Sequence, residues 1–290
     1  MNSVGSSELR LRIGDVTVSI RSGDEPFMRR VQQAGERFVC EEPPAFVVSI
    51  DLDDGPTPDA VLRALFSLHH VEAREVLQQE ELRPHVHISD AEIAIHAGRE
   101  IFDFDSPNRP RLVNVLLCAA YNTVCERHRA GARNGFLIHG CGIEAGGGSI
   151  LFSGHSGAGK TTLAGLAGGR PVLNDETVLI AGDNGGYRLF GTPFVGGVEG
   201  RSVGGAPLEA IYFLEHGEGN SVTTLAPGEA FQNLLCQLFQ TAPLAPTPAE
   251  HRSSVRARAD AAAQLVGRVP VRRLSFVPDE RVWELVESVV

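Results

Sequence analysis

The hydrophobic and polar positions of this chain change period several times, and those changes mark out its elements. Leu9-Arg10-Leu11-Arg12-Ile13 and Val16-Thr17-Val18-Ser19-Ile20 alternate apolar and polar side chains around Gly14-Asp15, which predicts a β-hairpin. Phe46 to Leu52, after the Pro43-Pro44 breaker, reads as another strand, and Ala60 to Leu68, with Pro58 near its start, as a helix. His85–Ile88, Glu92–His96 and Glu100–Phe104 alternate again, in the manner of a meander. The Ser106-Pro107-Asn108-Arg109-Pro110 stretch is the domain boundary: a β-rich N-terminal domain over 1–108, suited to acceptor recognition, and a second domain over 109–290.

In the second domain Leu112, Val113, Leu116, Leu117, Ala120 and Val124 recur at helical spacing, and Gly131 to Asn134 ends that helix. Phe136-Leu137-Ile138 is a buried strand leading into His139-Gly140. Ile143–Ala145 and Ser149–Phe152 form a hairpin around Gly146-Gly147-Gly148. The second hairpin strand runs into a glycine-rich segment, and Thr161 to Ala167 is a short helix closed by Gly168-Gly169. Val172-Leu173 delivers Asp175. Strands at Val178–Ile180, Tyr187–Phe190, Ala210–Leu214 and Val269–Phe276 follow, with helices at Pro227–Phe239 and from Pro278. The fold class expected is α/β, leaning to α+β, with a mixed sheet and a smaller β-rich domain before it.

Composition narrows the partners. Hydrophobic residues make up 42% and charged residues 21%, ordinary values for a folded chain, and the net charge of −10 argues against a nucleic-acid partner. Arg252, Arg256, Arg258, Arg272 and Arg273 are the local basic residues, expected on a solvated, ion-paired surface. No run approaches the roughly 18–20 apolar residues of a membrane span, so no membrane association is expected. No basic stretch followed by an apolar core is visible near Met1–Leu11, and a cytoplasmic location is expected. Five scattered cysteines give neither a disulfide framework nor a metal pattern. Among 26 Lys and Arg residues there is a single lysine, Lys160.

That lysine lies in Gly154-His155-Ser156-Gly157-Ala158-Gly159-Lys160-Thr161, a complete phosphate-binding loop between a predicted strand and a predicted helix. Glycines at these positions let successive backbone N–H groups turn toward one anion. A compact ammonium on a flexible stem reaches between β- and γ-phosphates where a planar guanidinium does not fit. Thr161 is expected to ligate Mg²⁺, and Thr162 to add a phosphate contact. Asp175 and Glu176 follow fifteen residues after Lys160, adjacent carboxylates at a strand end, where one can bind metal and the other accept a proton. His139, at another strand end, is placed to face Asp175.

The run from His139-Gly140 through Ser149–Thr161 to Val172-Leu-Asn-Asp-Glu-Thr-Val-Leu-Ile180 resembles the C-terminal kinase domain of HPr kinase/phosphorylase. The match covers roughly 112–290 and is specific over about 136–195. The resemblance implies a P-loop kinase domain of the HPr kinase/phosphoenolpyruvate carboxykinase type, with ATP and Mg²⁺ as cofactors. It gives Lys160 and Thr161 the nucleotide and metal roles. It makes Asp175 the carboxylate that activates a serine-type hydroxyl, Glu176 a metal helper and His139 the partner of Asp175. Gly191-Thr192-Pro193 resembles the substrate-side loop of the related group. The acceptor expected is a small molecule, peptide or carrier protein, and an oligomer is possible. His155 replaces the aspartate usual in HPr kinases, and their later glycine-rich signature is missing, which speaks against HPr itself. ATP-dependent phosphoenolpyruvate carboxykinases share the loop, yet they use further lysines that this chain lacks. A non-catalytic ATP-binding regulator and a simple ATPase are the alternatives.

Other residues read as structural. His85 and His87 share a strand face without an identifiable third metal ligand, and His69-His70 suits a helix C-terminus. Cys141 is expected to be a small buried residue and Trp283 a core residue, while Arg201 can clamp a phosphate or an acidic substrate.

Overall fold

In the computed structural model the described residues are 7–56, 85–99, 117–123, 135–183, 185–194, 196–198, 202–241 and 248–289. Two units divide the chain: Met1–Ala132 with Pro193–Val195 and Thr241–Ser254, and Arg133–Thr192 with Gly196–Gln240 and Val255–Val290. The helix expected at Ala60–Leu68, His69-His70, the strand expected at Glu100–Phe104, the boundary at 106–110 and Arg201 lie outside the described residues.

The first unit is a mixed sheet covered on one face by a helix. Strands β1 (Ser7–Ile13) and β2 (Val16–Ser22) form the hairpin that the alternation predicts, with Gly14 at φ 60° in the turn. Helix α1 (Glu25–Gly35) then carries the chain to β3 (Phe46–Asp53), which runs parallel to β2. Strand β5 (Glu92–Gly98) is parallel to β3, and β4 (Val86–Ile88) is antiparallel to β5. The order is β1-β2-β3-β5-β4: the meander expected from residue 85 onward has its first two strands in the antiparallel β4–β5 pair, and β3 lies parallel between β2 and β5. Helix α1 escapes the alternation pattern because its buried residues, Phe27, Met28, Val31 and Gly35, keep helical spacing among arginines and glutamines. Asp24 caps it, its carboxylate accepting from Phe27 N at 2.8 Å. Residues 117–123 are helical and belong to the first unit, where Tyr121 donates its hydroxyl to the Ile13 carbonyl.

The second unit is built on a nine-stranded mixed sheet. Strands β6 (Gly135–His139), β7 (Cys141–Ala145), β8 (Gly148–Ser153), β9 (Val172–Asn174), β10 (Thr177–Asp183), β11 (Gly186–Phe190) and β12 (Gly204–His216) follow the order β6-β10-β11-β12-β8-β7-β9. Strands β13 (Ser221–Thr224) and β14 (Val271–Phe276) complete it, β14 parallel to β12. Every residue of β8 is buried, so its two faces serve two cores. Leu151, with Ile211 and Phe213, meets helices α3 (Pro227–Phe239) and α4 (Pro248–Arg268) through Leu234, Leu238, Ala262 and Leu265. Ile150 and Phe152, with Tyr212, meet helix α2 (Lys160–Gly165) and helix α5 (Arg281–Val289) through Leu163, Ala164, Val282 and Trp283. Helix α4 is invisible to apolar periodicity because its buried face is largely alanine. Arg258, expected on a solvated surface, is fully buried there.

Candidate active site

Strand β8 ends at Ser153, and the six residues Gly154–Gly159 turn the chain from the sheet into α2. The turn depends on glycine: φ is 148° at Gly154, 83° at Gly157 and 101° at Gly159, conformations that disfavour a side chain. A Cβ at Gly159 would also lie 2.7 Å from the Phe276 ring. His155, Ser156 and Gly157 form the exposed crest, while Ala158 and Lys160 turn inward. The Lys160 ammonium spans the loop, donating to the carbonyls of Gly154 at 2.9 Å and His155 at 3.1 Å. Burial pushes its pKa below the usual lysine value, against the pull of Glu176, Cys141 and Asp175.

The acids come from the turn between β9 and β10, and consecutive side chains there point in different directions. Asp175 is 2% exposed and turns to the loop helix. Its Oδ2 accepts from the Thr161 hydroxyl at 2.8 Å, and its Oδ1 from the amides of Gly197 at 2.8 Å and Val198 at 3.2 Å. Glu176 turns the other way. Strand β6 lies antiparallel to β10 with His139 opposite Thr177, which sets the imidazole beside Glu176, Nδ1 to Oε1 being 3.6 Å. The strand register thus sets His139 beside Glu176, the neighbour of the acid expected to face it. Thr162 sits exposed in the first turn of α2.

Thr161 and Asp175 offer an all-oxygen donor set, a hydroxyl and a carboxylate converging at the start of α2, of the kind that holds Mg²⁺ together with phosphate oxygens and water. Among the described residues no group of three or more His, Cys, Asp or Glu side chains is arranged to hold a metal by itself.

Several residues that the sequence did not single out build this turn. Asn174 is fully buried; its Oδ1 accepts from the amides of Glu176 at 2.8 Å and Thr177 at 3.2 Å, and its Nδ2 donates to the Thr192 carbonyl and hydroxyl, each at 3.2 Å. Thr192 in turn donates to the Thr177 carbonyl at 2.6 Å. An asparagine just before an acid pair at a strand end is a readable turn signal. Gly191 and Thr192, read as substrate-side, brace the acids: a Cβ on Gly191 would lie 1.9 Å from the Ser202 carbonyl oxygen, and Thr192 is buried. His216, at the end of β12, donates from Nε2 to the Gly157 carbonyl at 2.8 Å and props the loop crest.

The residues set aside behave mostly as expected. Cys141 is buried, and burial together with the Asp175 charge pushes its thiol far above the normal range, so it offers no thiolate. Trp283 is core, edge-on to Phe152 with the Arg170 guanidinium over its ring. His85 and His87 are joined by His96 along a pocket of about 520 Å³ on the polar face of the first sheet, beside Arg21 and Asp51. There the His96 ring lies between Asp51 and Asp53, 3.2 Å from each.

No helix among the described residues is long and apolar enough to cross a membrane. No curated protein matches the chain. The family described as SynChlorMet cassette protein ScmC matches residues 106–290, more than half of the chain and all of the loop and acid turn, and the chain belongs to that ScmC family.

Proposed function

We propose that this protein is an Mg²⁺- and ATP-dependent kinase, built on a P-loop domain similar to that of HPr kinase/phosphorylase, which transfers the γ-phosphoryl group to a serine-type hydroxyl. The observation that supports the reading is the convergence of four features that follow the ends of β8 and β9. A glycine-rich loop presents backbone donors, Lys160 spans it, the Thr161 hydroxyl lies 2.8 Å from Asp175, and Glu176 follows in the same turn. The loop amides and Lys160 bind and orient the phosphates, and Thr161 with Asp175 holds the metal. When bound, Mg²⁺ would neutralise charge on the phosphoryl oxygens. The acid pair supplies what a simple nucleotide holder does not need, a carboxylate able to take a hydroxyl proton.

The test is ATP binding and turnover with Mg²⁺ for the wild type, Lys160→Ala and the double variant Asp175→Asn/Glu176→Gln. Binding lost in Lys160→Ala, with turnover abolished in the double variant, supports a phosphotransferase. Binding without turnover in the wild type, including across a panel of hydroxyl acceptors, replaces it with an ATP-responsive regulator. Transfer to water alone replaces it with an ATPase.

A further inference from the structure

We infer that the first unit carries a binding site for a flat nitrogen heterocycle, which stacks on the His96 ring in the pocket on the polar face of its sheet. The site stands apart from the kinase reading, because all of its residues belong to the first unit.

The pocket follows from the strand register. Arg21 on β2, Ser49 on β3, Ala94 on β5 and His87 on β4 stand opposite one another across the sheet. One short side chain thus falls among longer ones: the Ala94 methyl leaves a floor, and the others stand around it. Two residues further along the strands, on the same face, Asp51 is opposite His96. The His96 amide donates to the His85 carbonyl at 2.9 Å, which fixes those two backbones together. The pocket among the described residues measures about 520 Å³, room for a ring of one or two cycles.

His96 is a fixed plate. Its Nδ1 lies 3.2 Å from Asp51 Oδ2 and its Nε2 3.2 Å from Asp53 Oδ2, so carboxylates hold the ring at both nitrogens. Neither nitrogen is left to ligate a metal, and among the described residues no three such side chains are arranged for one. The side chain is still 42% exposed, and what it offers is a face. The His85 ring is tilted only 22° from it, with the centroids 6.4 Å apart. That is wide for two rings stacked face to face, and within about 1 Å of what a ring between them needs, twice roughly 3.5 Å.

The rim suits the edge of such a ring better than a simple ion. Glu8 takes the Arg21 guanidinium at Nε, 3.2 Å, and at Nη2, 3.1 Å, and so neutralises and orients it. Ser49 donates to Glu92, and its oxygen can still accept. With Asp51 and His87 the rim presents both donors and acceptors to ring N–H and carbonyl groups at little net charge. The indole of a peptide tryptophan and a nucleobase share this chemistry.

Isothermal titration of the full chain with N-acetyltryptophanamide, uridine and N-acetylleucinamide tests the site, for the wild type, His96→Ala, His96→Phe and Ala94→Leu. At least one ring probe is expected to bind saturably below about 10 mM, tighter than the leucine probe by about tenfold or more. His96→Ala should weaken that binding by about tenfold. His96→Phe keeps a flat face without the nitrogens and should hold it within about threefold. Ala94→Leu raises the floor and should abolish it; the two His96 variants decide the matter if this one does not fold. Binding of the tryptophan probe alone assigns a peptide, of uridine alone a nucleobase, and of both the ring class; each upholds the site. The site is overturned if neither ring binds, if the leucine probe binds as tightly, or if His96→Ala leaves affinity unchanged. It is equally overturned if His96→Phe loses as much as His96→Ala, because the nitrogens and not the face would then hold the ligand.

Discussion

Replacing Asn174 with alanine tests whether the acid turn is held by its own side-chain bonds or by the sheet around it. The substitution takes one acceptor from two backbone amides and removes two donations to Thr192. Thr177 is 6% exposed, so its amide loses its partner where water cannot easily replace it, at a cost of about 2 kcal/mol. The Glu176 amide is partly buried and loses about 1 kcal/mol. Thr192 keeps its bond to the Thr177 carbonyl and contributes little further. The expected destabilisation is therefore about 3 kcal/mol, or about 6–12 °C in the thermal midpoint for a domain of this size. Chemical denaturation and calorimetry of the full chain give the number directly.

The same substitution frees Asp175 and Glu176 to rotate, so Mg·ATP affinity should fall by tenfold or more under conditions where the variant remains folded, an estimate of about 1.4 kcal/mol. A double-mutant cycle with Thr192→Val should return a coupling of about 1 kcal/mol, because the Asn174 amide donates to the Thr192 hydroxyl, while its bond to the Thr192 carbonyl survives the valine. A loss below about 0.5 kcal/mol with additive single changes would refute the reasoning. It would mean that β9 and β10 fix the turn without the asparagine.

Gly159→Ala meets both a φ of 101° and the Phe276 ring, and isothermal titration should show Mg·ATP affinity reduced by tenfold or more. Lys160→Met removes a desolvated ammonium, so the ligand-free thermal midpoint should hold or rise, while the upward shift produced by ATP disappears. Gly196→Val drives a side chain into the space of Asp175 and should abolish turnover while circular dichroism stays native. Cys141, whose thiol is pushed up and therefore stays protonated through pH 9, should resist iodoacetamide at pH 8.5 while exposed Cys236 labels; mass spectrometry after brief exposure reads both, and equal labelling would contradict the burial.

The elements most legible in the sequence are those whose pattern is local. The β1–β2 hairpin, the Gly146-Gly147 hairpin and the strand–loop–helix around Lys160 each carry their turn chemistry next to their periodicity. Helix α4 buries alanines and one arginine, so no apolar stripe announces it. The parallel pairing of β2, β3 and β5 is a long-range choice that alternation does not specify. At the site the loop and the acids are readable residue by residue. Which acid faces which partner is not, because it depends on β6 aligning His139 with Thr177. The glycine-rich run from Gly196 stands out as a place for acceptor specificity, but its contact with Asp175 is not legible, because the backbone amides of Gly197 and Val198 that make it carry no residue identity.

The polar groups where the loop meets the acid turn hydrogen-bond to one another and to nearby main chain, and that constrains what can bind. Lys160 already donates to two carbonyls, Thr161 to Asp175, and Asp175 already accepts two amides. A ligand entering here exchanges hydrogen bonds and does not simply add them, so a neutral molecule gains almost nothing. A polyanion differs, because a bond from an ammonium to a charged oxygen is roughly twice as strong as one between neutral groups. Two carbonyl acceptors make a buried, destabilised lysine tolerable. Discrimination for phosphate would then arise from the energy of the resting bonds that must be broken, and shortening or strengthening those bonds would raise selectivity at the expense of affinity.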